Sequence, residues 1–174
     1  MTSRRHGPLT AVEGAQPALA LGDVAARHAR LTADGVVRHV GESAVAAVSW
    51  SDVIALEAVL TTTRWPHPAI PDVAIPVLIG LLGDGGSASE AAPLRLELAT
   101  AAGGESWTLE SHYVSGYRRA DARATTRLLE HLVAVPESRV LLARPRRSPR
   151  SHLVAAAAAA ADLSRCSRGR PRCA

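Results

Sequence analysis

The chain has 174 residues, of which 47% are hydrophobic, and a formal net charge of +4. A compact body of about 130 residues buries enough surface to fold without a structural metal or disulfide. The charge is uneven: residues 144–174 carry eight Arg against one Asp (+7), and residues 1–143 carry 12 Arg against 15 acids (−3). All 20 basic residues are Arg, a bias that a GC-rich genome produces without selection for function. These numbers predict a mildly acidic body with a basic tail.

No segment predicts a membrane span or a secretory signal. The apolar run 73–82 contains Pro76 and Gly80 and is about half the length of a spanning helix. Arg4 and Arg5 are not followed by the apolar core of a signal peptide. We therefore expect a soluble, cytoplasmic protein.

The two cysteines do not predict a metal site. Cys166 and Cys173 have neither a second pair nor a neighbouring His, as a zinc site would need. Free thiols are the simplest expectation in a cytosolic protein, and a small disulfide loop is the alternative.

The first half of the chain predicts short strands. Residues 1–16 are polar, contain Gly and Pro, and predict a disordered leader. Alternating segments begin near Pro17, and the Asp34-Gly35 dipeptide favours a tight hairpin. The predicted strands are 24–31, 36–40 and 44–48.

The stretch AVSWSDVIALEAV (47–59) fits either a helix capped by Ser49 or Asp52, or a strand over 53–63. Two hairpin-spaced strands precede it, and three consecutive Thr at 61–63 oppose a helix. The context favours the strand.

Residues 64–92 interrupt this pattern and predict an insertion. The segment RWPHPAIPD has three prolines in nine residues, which predicts an irregular loop. Apolar residues at helical spacing then predict a short helix near 73–82, and residues 83–93 predict a flexible connector.

The last part of the body predicts a hairpin and a helix. Leu94, Leu96 and Leu98 alternate with polar residues, and the pattern returns at Trp107 and Leu109. A helix is predicted over 118–135, ended by Pro136. Its expected apolar stripe is Tyr117, Ala120, Ala124, Leu128 and Leu132, joined by Leu129 and Val133, with Arg119, Arg123, Arg127 and Glu130 away from it.

The order of strands followed by one amphipathic helix, with the segments LTADGVVRH, VSWSDVIALEA and YRRADARATTRLLEHLV, resembles bacterial pleckstrin-homology-like (PH-like) domains. More narrowly, the chain resembles an actinobacterial family with a TTRWPHP element. The resemblance implies a mainly β (β+α) fold over residues 17–145. In that fold a curled antiparallel sheet or partly open barrel is capped by one C-terminal amphipathic helix.

The resemblance also implies a phosphoinositide ligand, held in that family by a basic first hairpin loop. The matching loop here, residues 32–35, contains Asp34 and no basic residue. No lipid-binding residue is therefore expected in the body.

The strongest candidate for a binding cluster is Arg64, Trp65 and His67, on the proline-rich loop. An aromatic and an imidazole there are candidates for partner binding. The alternative is that Trp65 folds back over an open sheet edge or over the helix at 73–82. Trp50 and Trp107 adjoin strands and are expected in the core or at its edge.

No catalytic residue, metal ligand or cofactor site is predicted. His28 and His39 would meet across the first hairpin and, with an acid, hold a metal, but solvent-facing cross-strand polar residues explain them more simply. Ser111-His112 lacks a nucleophile elbow. The glycines at 83–86 lack the flanking features of a phosphate loop.

Residues 146–174 predict a disordered Arg/Ala-rich tail. Its basic blocks would neutralise phosphates of nucleic acid or lie on an anionic membrane, or they are an extension with no selected role. The candidate anion-binding residues are Arg144, Arg146, Arg147, Arg150, Arg168, Arg170 and Arg172.

These patterns favour a non-enzymatic PH-like binding or scaffold domain that recognises a protein or peptide. Its expected surface is the open sheet edge together with the 64–92 insertion. The alternative function is binding of nucleic acid or an anionic membrane surface through the tail.

Overall fold

The computed structural model describes residues 5–14, 16–63 and 93–143. The predicted helix near 73–82, the rest of the insertion and the basic tail lie outside these residues. The described strands are β1 (Arg5–His6), β2 (Leu9–Val12), β3 (Ala18–Gly22), β4 (Arg27–Leu31), β5 (Gly35–Val40), β6 (Ser43–Ser49), β7 (Val53–Leu60), β8 (Thr62–Thr63), β9 (Leu94–Thr100), β10 (Gly103–Leu109) and β11 (Tyr117–Arg118). Helix α1 spans Arg119–Ala134, and a 3-10 helix spans Pro136–Ala143.

The strands form two antiparallel sheets and one short parallel pair. Strands β1 to β6 make a six-stranded sheet in chain order, and the second sheet has the order β10-β9-β7. β8 and β11 pair in parallel over two residues. The predicted fold class is confirmed: the protein is mainly antiparallel β with one C-terminal helix. In the part of the chain that the structure describes, the strands do not close into one barrel.

One hydrophobic cluster joins both sheets to α1 and the 3-10 helix. In β9 the three leucines are buried and Arg95 and Glu97 are exposed, as the period-two pattern predicts. Trp50 and Trp107 are also buried, which confirms their expected place in the core. The largest fully buried apolar side chains of this cluster are Leu9, Leu19, Leu21, Leu31, Leu94, Leu96, Leu98, Leu109, Leu129 and Leu132.

The predicted disordered leader is wrong for most of residues 1–16. Strand β2 pairs with β3 over four residues, and Leu9 and Thr10 are both 0% exposed. β3 is buried along its whole length, so it needs a strand beside it and cover on both faces. The strand LTAV (residues 9–12) is short and has polar residues on both sides, so the composition of residues 1–16 did not indicate it.

The predicted strand 24–31 begins three residues late, at Arg27. Asp23 causes the shift because its side chain accepts a hydrogen bond from the Ala25 N–H at 3.0 Å. The Asp23 carbonyl also accepts from the Ala26 N–H at 3.0 Å. An Asp side chain that bonds to the backbone two residues later stabilises a turn in place of a strand.

The strand interpretation of residues 53–63 is confirmed by β7 and β8. A register shift between Val53 and Ala55 leaves Ile54 64% exposed on β7. Such a bulge bends the strand locally. β7 therefore buries Val53, Leu56 and Ala58, which do not follow a single alternation.

Helix α1 confirms the predicted helix, but its buried stripe differs in the first two turns. Ala122 and Thr125 are buried there, while Ala120 is exposed. The predicted stripe counted Tyr117 as its first residue, but Tyr117 belongs to β11 and α1 begins at Arg119. The observed stripe is Ala122, Thr125, Leu129 and Leu132, which are three or four residues apart. Leu128, Leu129 and Leu132 are buried as predicted, and Arg119, Arg123, Arg127 and Glu130 are exposed as predicted.

The C-terminal end of α1 is held by Arg139 of the 3-10 helix. Its Nε donates to the Leu132 carbonyl at 2.7 Å, and Nη2 donates to the Val133 carbonyl at 3.1 Å. The guanidinium carbon also lies 4.9 Å from the centroid of the Trp50 ring. A cation that satisfies the last carbonyls of a helix opposes the negative end of its dipole. These contacts connect α1 to the end of β6.

Candidate functional site

An open groove of about 510 Å³ runs between β7 and α1. We call it the β7–α1 groove. The strand side of its lining is Ala58, Leu60 and Thr62, and the helix side is Arg119, Ala122, Arg123, Thr126, Arg127 and Glu130.

The strand side of the groove is a sheet edge. β7 ends the order β10-β9-β7, so among the described strands it pairs on one side only. An edge strand presents a row of backbone N–H and C=O groups that another chain can pair with. Ala58 and Leu60 are two residues apart and share a face. This wall therefore offers backbone hydrogen bonds beside a small apolar surface.

The helix side of the groove is basic. Arg119, Arg123 and Arg127 recur every four residues, which places them on one face of α1. All three are exposed, and none of them makes an ion pair with a carboxylate of the described residues. Three Arg against Glu130 leave the lining a formal +2, whereas residues 1–143 together carry −3. The groove is a local positive surface on an acidic body.

The two walls are held together by the β8–β11 pair. Tyr117 and Arg118 are in register with Thr62 and Thr63, and the Tyr117 N–H donates to the Thr61 carbonyl at 2.9 Å. Gly116, at φ 86°, lies so close to the Thr61 carbonyl that a Cβ there would overlap it. Strand and helix are therefore joined at one end of the groove by backbone contact, which leaves the groove preformed.

Tyr117 is the buried anchor of this joint. It is 1% exposed, and its hydroxyl accepts a hydrogen bond from the His112 N–H at 3.0 Å. Burial raises the pKa of Tyr117 above its ordinary value. The phenol therefore stays neutral at physiological pH and acts as a structural group.

His28 and His39 meet across the β4–β5 hairpin as predicted, but they are buried, at 0% and 7% exposure. The expectation that they face solvent is wrong. Their rings stack with centroids 5.1 Å apart. Neighbouring charges are supplied by Arg30, whose Nη2 lies 3.0 Å from Glu42 Oε2. The sequence showed only that the two residues are opposite each other. β4 lies beside β3, which is buried along its whole length, so both faces of the sheet are covered here, and alternation alone does not reveal this.

The hydrogen bonds of His28 define its protonation. Arg30 Nε donates to His28 Nε2 at 3.1 Å, so this ring nitrogen is the acceptor. Nδ1 then carries the proton and donates to the Ala26 carbonyl at 3.3 Å. Burial is the main cause that lowers the pKa of both His28 and His39. A metal would have to displace Arg30 from Nε2, and no group of three or more His, Cys, Asp or Glu within the described residues is arranged to hold one.

A third histidine with a buried side chain, His112, connects β2 to the segment after β10. His112 Nε2 lies 3.3 Å from Thr10 Oγ1, and Nδ1 lies 3.9 Å from Asp23 Oδ1. The order Asp, His, hydroxyl resembles a nucleophilic triad, but Thr10 is 0% exposed. Ser111 Oγ is also engaged, because it donates to the Tyr113 carbonyl at 2.9 Å. These side chains tie the N-terminal strands to the β8–β11 region.

Another groove, of about 600 Å³, lies beside the first hairpin loop, residues 32–35. Among the described residues of its lining, Asp34 is the one that carries a charge. The described lining of this second groove has no positive charge and no regularly spaced row of like side chains such as the arginines of the β7–α1 groove. It is therefore the weaker candidate for a charged ligand.

The site residues predicted from the sequence all lie outside the described residues. They are Arg64, Trp65 and His67 of the insertion, and Arg144, Arg146, Arg147, Arg150, Arg168, Arg170 and Arg172 of the tail. Their roles in binding a partner, nucleic acid or an anionic lipid remain predictions. The sequence did place Arg119, Arg123 and Arg127 on the exposed face of a helix. It gave no signal that β7 lies across from them.

No family model, curated protein or solved structure matches the chain. In the described ranges, no helix has the length and apolar character that crossing a membrane requires. The chemistry of the β7–α1 groove therefore carries the functional argument.

Proposed function

We propose that the protein is a non-enzymatic binding domain of PH-like architecture that holds an extended acidic segment of a partner protein in the β7–α1 groove. One observation carries this proposal: a free sheet edge and a row of three arginines line the same groove. The arginines have no carboxylate partner among the described residues. The edge supplies backbone hydrogen bonds to any extended chain, and the arginines select for negative charge.

The PH-like part of the proposal is supported by the arrangement of antiparallel sheets followed by one C-terminal helix. A phosphoinositide ligand is not proposed, because the loop at 32–35 has Asp34 and no base. The insertion at 64–92 starts directly after β8, at the end of the groove. It is the natural place for further contacts with the same partner.

The expected affinity is modest. Exposed ion pairs contribute about 0.2–1 kcal/mol each, and backbone hydrogen bonds contribute about 0.5–1.5 kcal/mol each. Association itself costs at least about 4 kcal/mol. We therefore expect weak binding, which should weaken further as salt screens the arginines.

The test measures fluorescence anisotropy of a labelled ten-residue peptide rich in Glu and Val, with the full chain as receptor. We compare wild type, Arg123→Gln, the triple variant R119Q/R123Q/R127Q, and Arg95→Gln as the matched control. Arg95 is exposed on the outward face of the same sheet and does not line the groove. The tail attracts acidic peptides too, but it is the same in all four proteins, so their differences report on the groove.

We expect the triple variant to bind the peptide about tenfold more weakly, because it removes three exposed pairs of this size. Arg95→Gln should stay within about twofold of wild type, and all four melting temperatures should agree, since these are surface substitutions. Equal loss of binding in the triple variant and in Arg95→Gln would contradict the proposal.

A further inference from the structure

We infer that the β7–α1 groove selects acidic residues at alternate positions, in the pattern Glu-x-Glu-x-Glu. This inference rests on the proposed function and specifies the partner's sequence. It comes from the match between two periodicities, one belonging to the helix wall and one to the strand that would pair with β7.

The helix wall sets the spacing of positive charge. Arg119, Arg123 and Arg127 are four residues apart along α1. At about 1.5 Å per residue, neighbouring arginines are about 6 Å apart along the helix axis, and the first and last are about 12 Å apart. The lining runs from Arg119 to Glu130, so the whole arginine row belongs to the groove.

The strand wall sets the spacing of the ligand. Residues that share a face of a strand are about 6.6 Å apart, so three of them span about 13 Å. Ala58 and Leu60 of β7 and Thr62 of β8 line the groove over this same length. β11 pairs with β8 at the end of the groove, so a peptide would pair with β7 up to Leu60. A peptide paired with β7 would turn every second side chain towards α1. Over three positions its spacing departs from that of the arginines by only about 1 Å, which a long Arg side chain accommodates.

The free edge of β7 disfavours a helical ligand with the same charge spacing. An extended segment uses the backbone groups of β7, which a helix leaves unpaired. The geometry therefore favours an extended chain.

The test uses two seven-residue peptides of identical composition as probes. One is Ser-Glu-Val-Glu-Val-Glu-Ser, and the other is Ser-Val-Glu-Glu-Glu-Val-Ser. Both carry the same charge, so the basic tail and the overall potential act on them equally. Only the first can turn three carboxylates towards α1 from an extended backbone, whereas the second turns one or two.

We expect the alternating peptide to bind wild type roughly fivefold more tightly, the value for one to two additional exposed ion pairs. The variant R119A/A120R keeps the composition of the protein and moves one arginine to a position that is exposed and outside the groove lining. It should reduce the preference to about twofold, since one of the additional pairs is lost.

Two results overturn the inference in different ways. If both peptides bind equally and both lose affinity in R119Q/R123Q/R127Q, the alternating pattern is wrong and the proposed function stands. If neither peptide binds wild type, or if the triple variant binds both as wild type does, the groove does not take an acidic segment and both proposals fail.

Discussion

The stacked histidines His28 and His39 connect pH to folding through two side chains. Burial lowers the pKa of both below the ordinary value of 6.5, so the folded protein holds these imidazoles neutral. The positive charge of Arg30 lowers both pKa values further, while Glu42 and the nearby carbonyls raise them. A protonated His28 would also lose its bond from Arg30, because its Nε2 could no longer accept.

The sign of the pH dependence follows from proton binding. Between the lowered pKa of the folded state and 6.5, the unfolded chain binds more protons than the folded protein. The contribution of the pair to stability is therefore complete above pH 6.5 and decreases as the pH falls below it. We expect the melting temperature to be lower at pH 5.5 than at pH 7.5.

His39→Gln isolates the pair from the other titrating groups. It removes one lowered pKa while keeping a side chain of similar polarity. The decrease in melting temperature between pH 7.5 and 5.5 should be smaller in this variant than in wild type, as measured by differential scanning calorimetry. A decrease of the same size in both proteins would show that the histidine pair does not control the effect.

At the scale of elements, strand β2 is part of the core. Leu9 is 0% exposed and belongs to the same hydrophobic cluster as the β9 leucines. Leu9→Ala should lower the free energy of unfolding by about 2–5 kcal/mol, the range for a leucine truncated in a packed core. Urea denaturation monitored by Trp fluorescence measures the change.

Ile54→Ala is the matched control for Leu9→Ala. Ile54 is an apolar residue of an edge strand and is 64% exposed, so its truncation should change the free energy of unfolding by only about 0.5 kcal/mol. If Leu9→Ala costs no more than Ile54→Ala, the N-terminal strands are not packed as the structure has them.

Local patterns in the sequence predict most of these elements. Leu94, Leu96 and Leu98 establish β9 through their alternation, and the three-four spacing of Leu128, Leu129 and Leu132 establishes α1. Strand β2 was not predicted, because four residues are too few to show the alternation of apolar and polar side chains that identifies a strand. Burial of His28 and His39 is not predicted either, because alternation shows which residues share a face of a strand but not that both faces of this sheet are covered.

The β7–α1 groove exists only at the scale of the whole molecule. Its walls come from residues 58–62 and 119–130, which are about 60 residues apart in the chain. The sequence predicts each wall separately: an alternating strand on one side and an exposed arginine row on the other. Their juxtaposition depends on the β8–β11 pair, two residues long, and on the close approach of Gly116 to Thr61. A contact of only two residue pairs produces no periodic pattern in the sequence, so the position of the two walls relative to each other could not be predicted.

The central claim is that an acidic segment pairs with the free edge of β7. Amide hydrogen exchange of the full chain, with and without a saturating amount of the alternating peptide, tests it directly, because strand addition protects the amides that it pairs. β6 is the matched control, since it is also an edge strand and does not line the groove. We expect exchange to slow in β7 and to stay unchanged in β6. Bound peptide that leaves the β7 amides exchanging at their original rate would contradict the claim.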